Sequence, residues 1–384
     1  MSVLLTAYCI ALPAPELPTF SFIAANGSLS EHYRFGFLMG SKFMATISKR
    51  FDAKAGLKEM VSEAQTPAGA ALLHAFVNTH DARVPEAMAE LRGIAVGAGR
   101  PFEEVFLQNI PLEFSTCSPK LRRLVADIDD CSDLMACDPS LCAVGHNEDN
   151  QHEDIGATAL VTARWGSTTW TAYTYLGELP SGAFGYNDHG LAFSLNWVGP
   201  KDAACPGLGR GFVSRQLLEA STLDAALAVV SQPHQSTGHN YQLMQAQPPA
   251  ILNVEAGPGG VYAVRPIGLP FFHANQYQSL RIPQTYGNSS VHRLARVAQL
   301  APPRSTVEIL HTLGDQADRE YPIFHDQKSH DAGELSDWTV ATALFDLLKG
   351  TVQILHGNPR TPQVLVELPL LPHPSAQGAS MAVP

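Results

Sequence analysis

The hydrophobic positions follow a helical period in the first third of the chain. Between residues 20 and 115 apolar residues recur every three or four positions, as Leu91, Ile94 and Ala98 do in PEAMAELRGIAVGAG. Most of this stretch is therefore predicted to be helical, with one helix ending at the glycines of positions 97–99. Two further single helices are predicted in ISKRFDAKAGLKEMVSEA and in PFEEVFLQNIPLEF.

From residue 118 onwards the pattern changes to short apolar runs separated by turn signals. TALVTA, TWTAYTY and LAFSLNW are rich in Thr, Val, Tyr, Trp and Phe and predict strands. GFVSRQLLEASTLDAALAVVS predicts two helices, as do HRLARVAQLA and TVEILHTLGD, and TVATALFDLLKGTVQILHG predicts two strands around a Lys-Gly turn. The order is therefore helices, then many strands, then two helices, then strands. This order indicates α+β layers and not a βαβ repeat.

The charge distribution narrows the possible partners. The 384 residues carry a formal net charge of -11 and have no run of Lys or Arg. This balance argues against nucleic acid and against an anionic membrane surface as partners. No stretch has the roughly 18 consecutive apolar residues of a membrane span. The apolar N-terminus lacks a basic region, so a secretory signal is not favoured and a cytoplasmic location is predicted.

The six cysteines are sparse for a chain of this length, so no disulfide framework is predicted. Cys137, Cys142 and His146 resemble part of a zinc site, but their spacing is unusual and no second ligand pair follows. We therefore predict no metal site and no cofactor.

Cys131 follows an arginine- and aspartate-bearing segment that is predicted to be an exposed loop. A cut between Asp130 and Cys131 would place a thiol and an α-amine on one residue. The α-amine has a pKa near 8, so it can act as general base for its own side chain. On pattern alone, a buried strand cysteine is the favoured interpretation.

Several motifs in order resemble the isopenicillin-N acyltransferase family of self-processing cysteine N-terminal-nucleophile hydrolases. They are EHYRFGFLMG, AELRGIAVGAG, LQNIPLEF, CSD at 131–133, GHNED at 145–149, GYNDHGLAFSLN, HAN ending at residue 275, WTVATALFDL and HGNP. The resemblance covers roughly residues 30 to 360. Within the family, CSD, NED and the WTVATALFDL segment look closer to the arthropod β-alanyl-dopamine hydrolase type than to the fungal transferases.

The resemblance implies an α+β fold of the four-layer αββα sandwich type. It implies that residues 1–130 form a helix-rich small subunit or propeptide and that residues 131–365 form the catalytic subunit. Residues 366–384 are predicted to be a disordered tail. The two fragments are expected to remain associated, because the cut removes one bond and not the packed core.

The resemblance also implies roles for individual residues. Cys131 would be the nucleophile, Asn275 would donate to the oxyanion, and Asp149 would orient the new α-amine. Turn positions are the competing interpretations for Asn275 and Asp149. Candidate substrate-binding residues are Asn147, His239, His273 and Asp337.

The implied function is a cysteine amidohydrolase that matures by self-cleavage and splits a small N-acyl amine of the β-alanyl type through a thioester. One alternative is an acyltransferase that moves an acyl group from acyl-CoA to an amine. A second is an unprocessed, non-catalytic member of the same fold. The family usually has Gly before the cysteine, whereas this chain has Asp130, so slow self-cleavage is expected.

Overall fold

The first part of the structure is one strand followed by seven helices. The computed structural model describes residues 16–125, 131–180, 182–326 and 337–371. Strand β1 is Thr19–Ile23, and the helices that follow are α1 Leu29–Lys42, α2 Met44–Ala53, α3 Ala55–Ala64, α4 Pro67–Arg83, α5 Pro85–Ala98, α6 Phe102–Asn109 and α7 Pro111–Cys117.

The helix boundaries partly match the prediction. Helix α5 ends as predicted, because Gly99 adopts a left-handed conformation with φ 66° and closes the helix. Each of the two other segments predicted as single helices is two helices. Lys54 is extended between α2 and α3, and Pro111, which has no N–H for an ongoing helix, begins α7.

The remainder of the chain supplies two sheets and four more helices. The strands are β2 Ser132–Cys137, β3 Cys142–Gln151, β4 Thr158–Trp165, β5 Thr168–Tyr175, β6 Phe184–Asn187, β7 Leu191–Val198, β8 Gly238–Gln245, β9 Ala250–Ala256, β10 Tyr262–Pro266, β11 Phe271–His273, β12 Asp337–Asp346, β13 Thr351–His356 and β14 Gln363–Pro369. The helices are α8 Arg210–Leu217, α9 Leu223–Val230, α10 Asn288–Val297 and α11 Thr306–Leu313.

The two sheets stack with helices on both outer sides. One sheet has the order β1-β4-β5-β6-β7-β8-β9-β10 and the other β11-β2-β3-β12-β13-β14. One hydrophobic cluster joins helices α1–α9 to the outer face of the first sheet. A second joins the inner faces of both sheets, and a third joins α11 to the outer face of the second sheet. The predicted four-layer αββα sandwich is confirmed, and strand alternation decides which layer each side chain enters.

Strand β14 runs to Pro369, so the predicted boundary at residue 365 falls inside a strand that pairs with β13. Residues 1–15 and 372–384 lie outside the described residues. Within the described chain no helix is both long and apolar enough to cross a membrane.

The prediction of no disulfide framework is wrong for four of the cysteines. Cys137 and Cys142 form a disulfide across the β2–β3 hairpin. Cys117, at the end of α7, forms a second one with Cys205. The spacing along the chain gave no sign of this second bond, because its partners are 88 residues apart and meet through tertiary folding.

Helices α1 and α5 pack with their backbones in close approach. A Cβ atom added at Gly36 would lie 1.9 Å from the Glu90 carbonyl oxygen, and one at Gly93 would lie 2.1 Å from that of Tyr33. The glycines of EHYRFGFLMG and AELRGIAVGAG therefore allow this contact between the two helices.

Gly36→Ala is expected to lower the free energy of unfolding by about 2 kcal/mol, because the new methyl group overlaps a backbone oxygen. Urea unfolding measures the change. The matched control is Gly56→Ala in α3, where a Cβ atom meets nothing within 4 Å; this change should stabilise by about 0.5–1 kcal/mol. If the two variants changed the free energy of unfolding equally and in the same direction, the packing argument would be wrong.

Candidate active site

Cys131 lies directly before β2 and is 5% exposed. It is the one described cysteine that forms no disulfide. Its Sγ is 3.6 Å from Glu148 Oε2 and 3.8 Å from the backbone oxygen of Asp149. Residues 126–130 lie outside the described residues, and so does the predicted cleavage residue Asp130.

Strand alternation directs the Cys131 side chain into the layer between the two sheets. Asp133, two positions along β2, accepts a hydrogen bond from Ser194 of the facing sheet at 2.7 Å. Glu148 on β3 accepts one from the hydroxyl of Tyr175 of the facing sheet, also at 2.7 Å. The thiol therefore shares a buried layer with two acids.

His146 connects these two acids. Its Nδ1 is 3.0 Å from Asp133 Oδ1, and its Nε2 is 2.9 Å from Glu148 Oε2. Burial disfavours the charged imidazole, but the Asp133 carboxylate and the other hydrogen-bonding groups outweigh burial and raise the pKa of His146 well above its usual value. The imidazole is therefore held as a cation between two carboxylates and beside the thiol.

Asn275 and Cys131 are joined through one buried arginine. Arg293, on α10, donates through Nη1 to the Cys131 carbonyl oxygen at 2.9 Å and through Nη2 to Asn275 Oδ1 at 2.7 Å. The Asn275 amide nitrogen donates to the backbone oxygen of Trp197 at 2.9 Å. Since an amide nitrogen carries two hydrogens, this orientation is compatible with donation to a nearby oxyanion.

Asp149 lies next to Cys131 but points in the opposite direction from the thiol. Its Oδ2 is 3.9 Å from Nδ1 of His325 on the helix side of the sheet. Neither carboxylate oxygen has a hydrogen bond of good geometry among the described residues. Burial raises the pKa of Asp149 to about 6, against the opposing effects of Thr339, Arg293 and His146. Its predicted role toward an α-amine stays a prediction.

Asp149→Asn is expected to stabilise the fold at neutral pH. A folded pKa of about 6 exceeds the unfolded value of about 3.9, so the folded state binds more protons between pH 4 and 6. The free energy of unfolding should fall by about 3 kcal/mol as the pH rises through that interval. The substitution should remove this slope, as urea unfolding at pH 4.5 and 7.5 can measure.

The matched control for that change is Asp154→Asn. Asp154 is also buried, but Arg50 and Lys54 outweigh burial and lower its pKa. Its replacement should reduce stability at pH 7.5. If Asp149→Asn reduced stability at pH 7.5 to the same extent, the assignment of a raised pKa to Asp149 would be wrong.

Asn147, one of the predicted substrate-binding residues, faces away from the layer that contains the thiol. Asn147 donates to the backbone oxygens of Leu313 and Ile323 at 2.9 and 3.1 Å, on the helix side of its strand. Its burial there fits a structural role, although it shares a strand face with Asp149 as expected.

The two predicted histidines are both buried. His239 lies on the helix-facing side of β8, and burial lowers its pKa well below the usual value. His273 is 3.0 Å from Glu255 through Nε2 and has no exposed surface. Asp337 begins β12 opposite Gln151, and its side chain lies outside the described residues.

Sequence reasoning missed Arg293 and the group Asp133, His146, Glu148, Tyr175 and Ser194. For His146 and Glu148 a signal was present. GHNED lies in a strand, and the two-residue period places these side chains on the same face as Cys131 once β2 and β3 pair. For Arg293 there was none, because it is 162 residues from Cys131.

The thiol, His146 and Glu148 are also the one described group of side chains that could hold a metal ion, since their ligand atoms all lie within 4.8 Å of one another. Both nitrogens of His146 already contact carboxylates, however. Proton sharing within this group therefore fits the arrangement better than metal binding. Cys137 and Cys142 are bonded to each other, so the zinc-like spacing has another explanation.

A polar cavity of about 460 Å³ is connected to the site through Tyr175, whose hydroxyl donates to Glu148. Tyr175 lines it together with Lys54, Gln108, Glu113, Gln151 and Glu178. A larger depression of about 640 Å³ is lined instead by the segment 300–304 and the outer side of α11 and has none of the site residues. The first cavity therefore is the candidate substrate pocket.

Comparisons with known proteins give a consistent result. A model of the family described as acyl-coenzyme A:6-aminopenicillanic acid acyl-transferase matches residues 137–361, beginning just after Cys131. The chain is 25% identical over 368 residues to the Drosophila melanogaster β-alanyl-dopamine/carcinine hydrolase, covering 88% of this chain and 94% of that protein.

Two solved structures are also similar. The N-acylethanolamine-hydrolyzing acid amidase ortholog of Caenorhabditis elegans is 11% identical, with a TM-score of 0.39, over 56% of this chain and 93% of that one. A variant of the conjugated bile acid hydrolase from Clostridium perfringens is 10% identical, with a TM-score of 0.36, over 62% of this chain and 92% of that one.

Proposed function

The chain belongs to the acyl-coenzyme A:6-aminopenicillanic acid acyl-transferase family, and from that premise we propose a cysteine amidohydrolase that matures by self-cleavage between Asp130 and Cys131. It is an enzyme that acts on amide bonds. After maturation it hydrolyses a small N-acyl amine through a thioester to Cys131.

One observation carries the proposal. Cys131 and Asn275, which are far apart in the sequence, are held by the two arms of a single guanidinium, that of Arg293. A nucleophile and an amide donor that share one rigid support can keep the geometry that acyl transfer requires.

The mechanism follows from these positions. The α-amine of Cys131 takes the thiol proton, and the sulfur attacks the substrate carbonyl carbon. Asn275 donates to the oxyanion, and the amine leaves with a proton from the α-ammonium group. Water then attacks the thioester and releases the acid.

The substrate class comes from the relative that is named for β-alanyl-dopamine and carcinine. We infer a β-alanyl amine as substrate. The candidate pocket supports this class, because it has both acidic and basic side chains as well as amides and is small. An ammonium-bearing acyl group requires such a polar surface.

Two assays separate the proposal from its alternatives. The purified protein is incubated with a β-alanyl amine, and separately with acyl-CoA plus an acceptor amine. Release of β-alanine without the second reaction supports the hydrolase, whereas formation of the new amide supports the acyltransferase. An intact chain that is inactive in both assays would support the non-catalytic alternative.

We infer that the two fragments remain associated after cleavage. Strand β1, from the first fragment, pairs in parallel with β4 of the second. Helices α1–α7 of the first fragment share a core cluster with β4, β5 and β7–β9. Cleavage at residue 130 leaves all these contacts in place.

A further inference from the structure

Self-cleavage requires a base that the finished enzyme does not need. Until the bond before Cys131 is cut, the nitrogen of this residue is an amide and does not accept a proton. The α-amine mechanism is therefore unavailable for the first turnover. This inference rests on the proposed self-cleavage and asks which group removes the thiol proton in the intact chain.

We propose that Glu148 is the general base and acid for self-cleavage, and that His146 and Tyr175 are positioning residues which hold its carboxylate against the Cys131 thiol. Glu148 is a catalytic residue in this scheme because it contacts the reacting sulfur.

The contacts of the thiol support this assignment. Glu148 Oε2 lies 3.6 Å from Sγ, in the direction of a thiol that donates its hydrogen. A second acceptor is the Asp149 backbone oxygen at 3.8 Å, which is not basic. The Asp149 carboxylate is on the opposite face of β3. Glu148 is therefore the carboxylate placed to take the proton.

The supporting residues hold this carboxylate in place through hydrogen bonds. Glu148 is 3% exposed, and each of its oxygens has a partner: the Tyr175 hydroxyl at 2.7 Å on Oε1 and His146 Nε2 at 2.9 Å on Oε2. Asp133 fixes the other side of the imidazole and is itself fixed by Ser194. A cationic imidazole beside Glu148 and the sulfur stabilises negative charge on either one.

The polar groups around Glu148 come from its own strand, from β2 and from β5 of the facing sheet. Asp133 is on β2, His146 is on β3 and Tyr175 is on β5, and the Arg293 guanidinium of α10 reaches the Cys131 carbonyl on the other side. The local charge comprises two carboxylates and the imidazolium, with the guanidinium beyond them. Proton transfer from sulfur to Glu148 leaves the charge of the network unchanged.

The reaction balances without any added reagent except water. The thiol proton moves to Glu148, and Sγ attacks the carbonyl carbon of residue 130. The carbon–nitrogen bond before Cys131 breaks as Glu148 returns the proton to the leaving nitrogen, which gives a thioester and a free α-amine. Water then cleaves the thioester and regenerates the thiol.

The test follows self-cleavage of the full chain after cell-free synthesis, by gel and mass over time and across pH. Glu148→Gln should slow cleavage by about 10²–10⁴-fold, the usual contribution of a general base. Glu148→Asp should recover part of the rate. If the wild type cleaves and Glu148→Gln cleaves at the same rate, the proposal is overturned. If the wild type does not cleave, the proposed function fails instead.

A second variant covers the case in which Glu148→Gln does not fold. Tyr175→Phe removes one hydrogen bond that favours the Glu148 carboxylate, so the pH midpoint of self-cleavage should move upward. Tyr173→Phe is the matched control, because that buried tyrosine on the same strand bonds the Thr158 hydroxyl instead. Equal midpoints in the two variants would refute the role of Glu148.

Discussion

Cys131→Ala should leave the chain uncut at 41.3 kDa and abolish amide hydrolysis. Both reactions require the same sulfur, first against the bond before residue 131 and then against the substrate. Loss of a nucleophile costs about 10⁶-fold in turnover in an enzyme where it has been measured. Intact mass and release of β-alanine from a β-alanyl amine measure the two losses independently.

The control for a missing thiol is the paired change Cys137→Ser and Cys142→Ser. It removes two cysteines from the same hairpin and the disulfide that joins them. This should cost about 2 kcal/mol of stability for so short a loop. Self-cleavage and hydrolysis should continue. Fragments of the same mass from Cys131→Ala would mean that the sulfur is not the maturation nucleophile.

Asn275→Ala should reduce kcat for amide hydrolysis by about 10²–10³-fold, because removal of one oxyanion donor costs about 3 kcal/mol of barrier. KM should change little, since the oxyanion forms after substrate binding. The Asn275 side chain also forms hydrogen bonds with Arg293 and with the backbone oxygen of Trp197. The substitution will therefore also lower the free energy of unfolding. Steady-state kinetics combined with urea unfolding separates the two effects.

Asn187→Ala supplies the matched control. Asn187 is equally buried, and its amide nitrogen donates to the backbone oxygens of Leu218 and Ala220 at 3.0 and 2.7 Å, away from Cys131. The variant should lose stability and keep kcat. Should both variants lose kcat in the same proportion, Asn275 would be a structural residue and the oxyanion role would be wrong.

The features of the fold that depend on local chemistry were accessible from the sequence. Gly99 ends α5 because a left-handed position there favours glycine. Gly350, with φ 68°, makes the predicted Lys-Gly turn between β12 and β13. The break at Lys54 was not visible, since lysine favours helices and its extended conformation is set by tertiary contacts with Asp154 and Gln151.

The same distinction between local sequence signals and tertiary contacts applies to the residues of the candidate site. The roles of Cys131, Asn275 and Asp149 were predicted from ordered motifs; the family match confirms the resemblance, and the roles stay predictions. His146 and Glu148 were available from the two-residue period of β3, but GHNED was interpreted as support for Asp149. Arg293 could not be identified, because its role depends on where α10 docks against β2.

Asp149 and Glu148 illustrate why the strand face on which a side chain lies matters more than the residue type. Both are acids, adjacent in the sequence and near Cys131. The pleat sends Glu148 into the layer between the sheets and Asp149 toward the helices. A motif match assigns a role to a position, whereas the face of the strand decides which atoms that position can reach.

The bond between Cys117 and Cys205 has a consequence for the matured protein. Cys117 belongs to the segment before the proposed cut, and Cys205 belongs to the segment after it. The cleaved molecule would therefore migrate as one band on a denaturing gel without reductant and as two bands with it. In an oxidising compartment, where such bonds persist, the halves would stay tethered and could find each other again after unfolding.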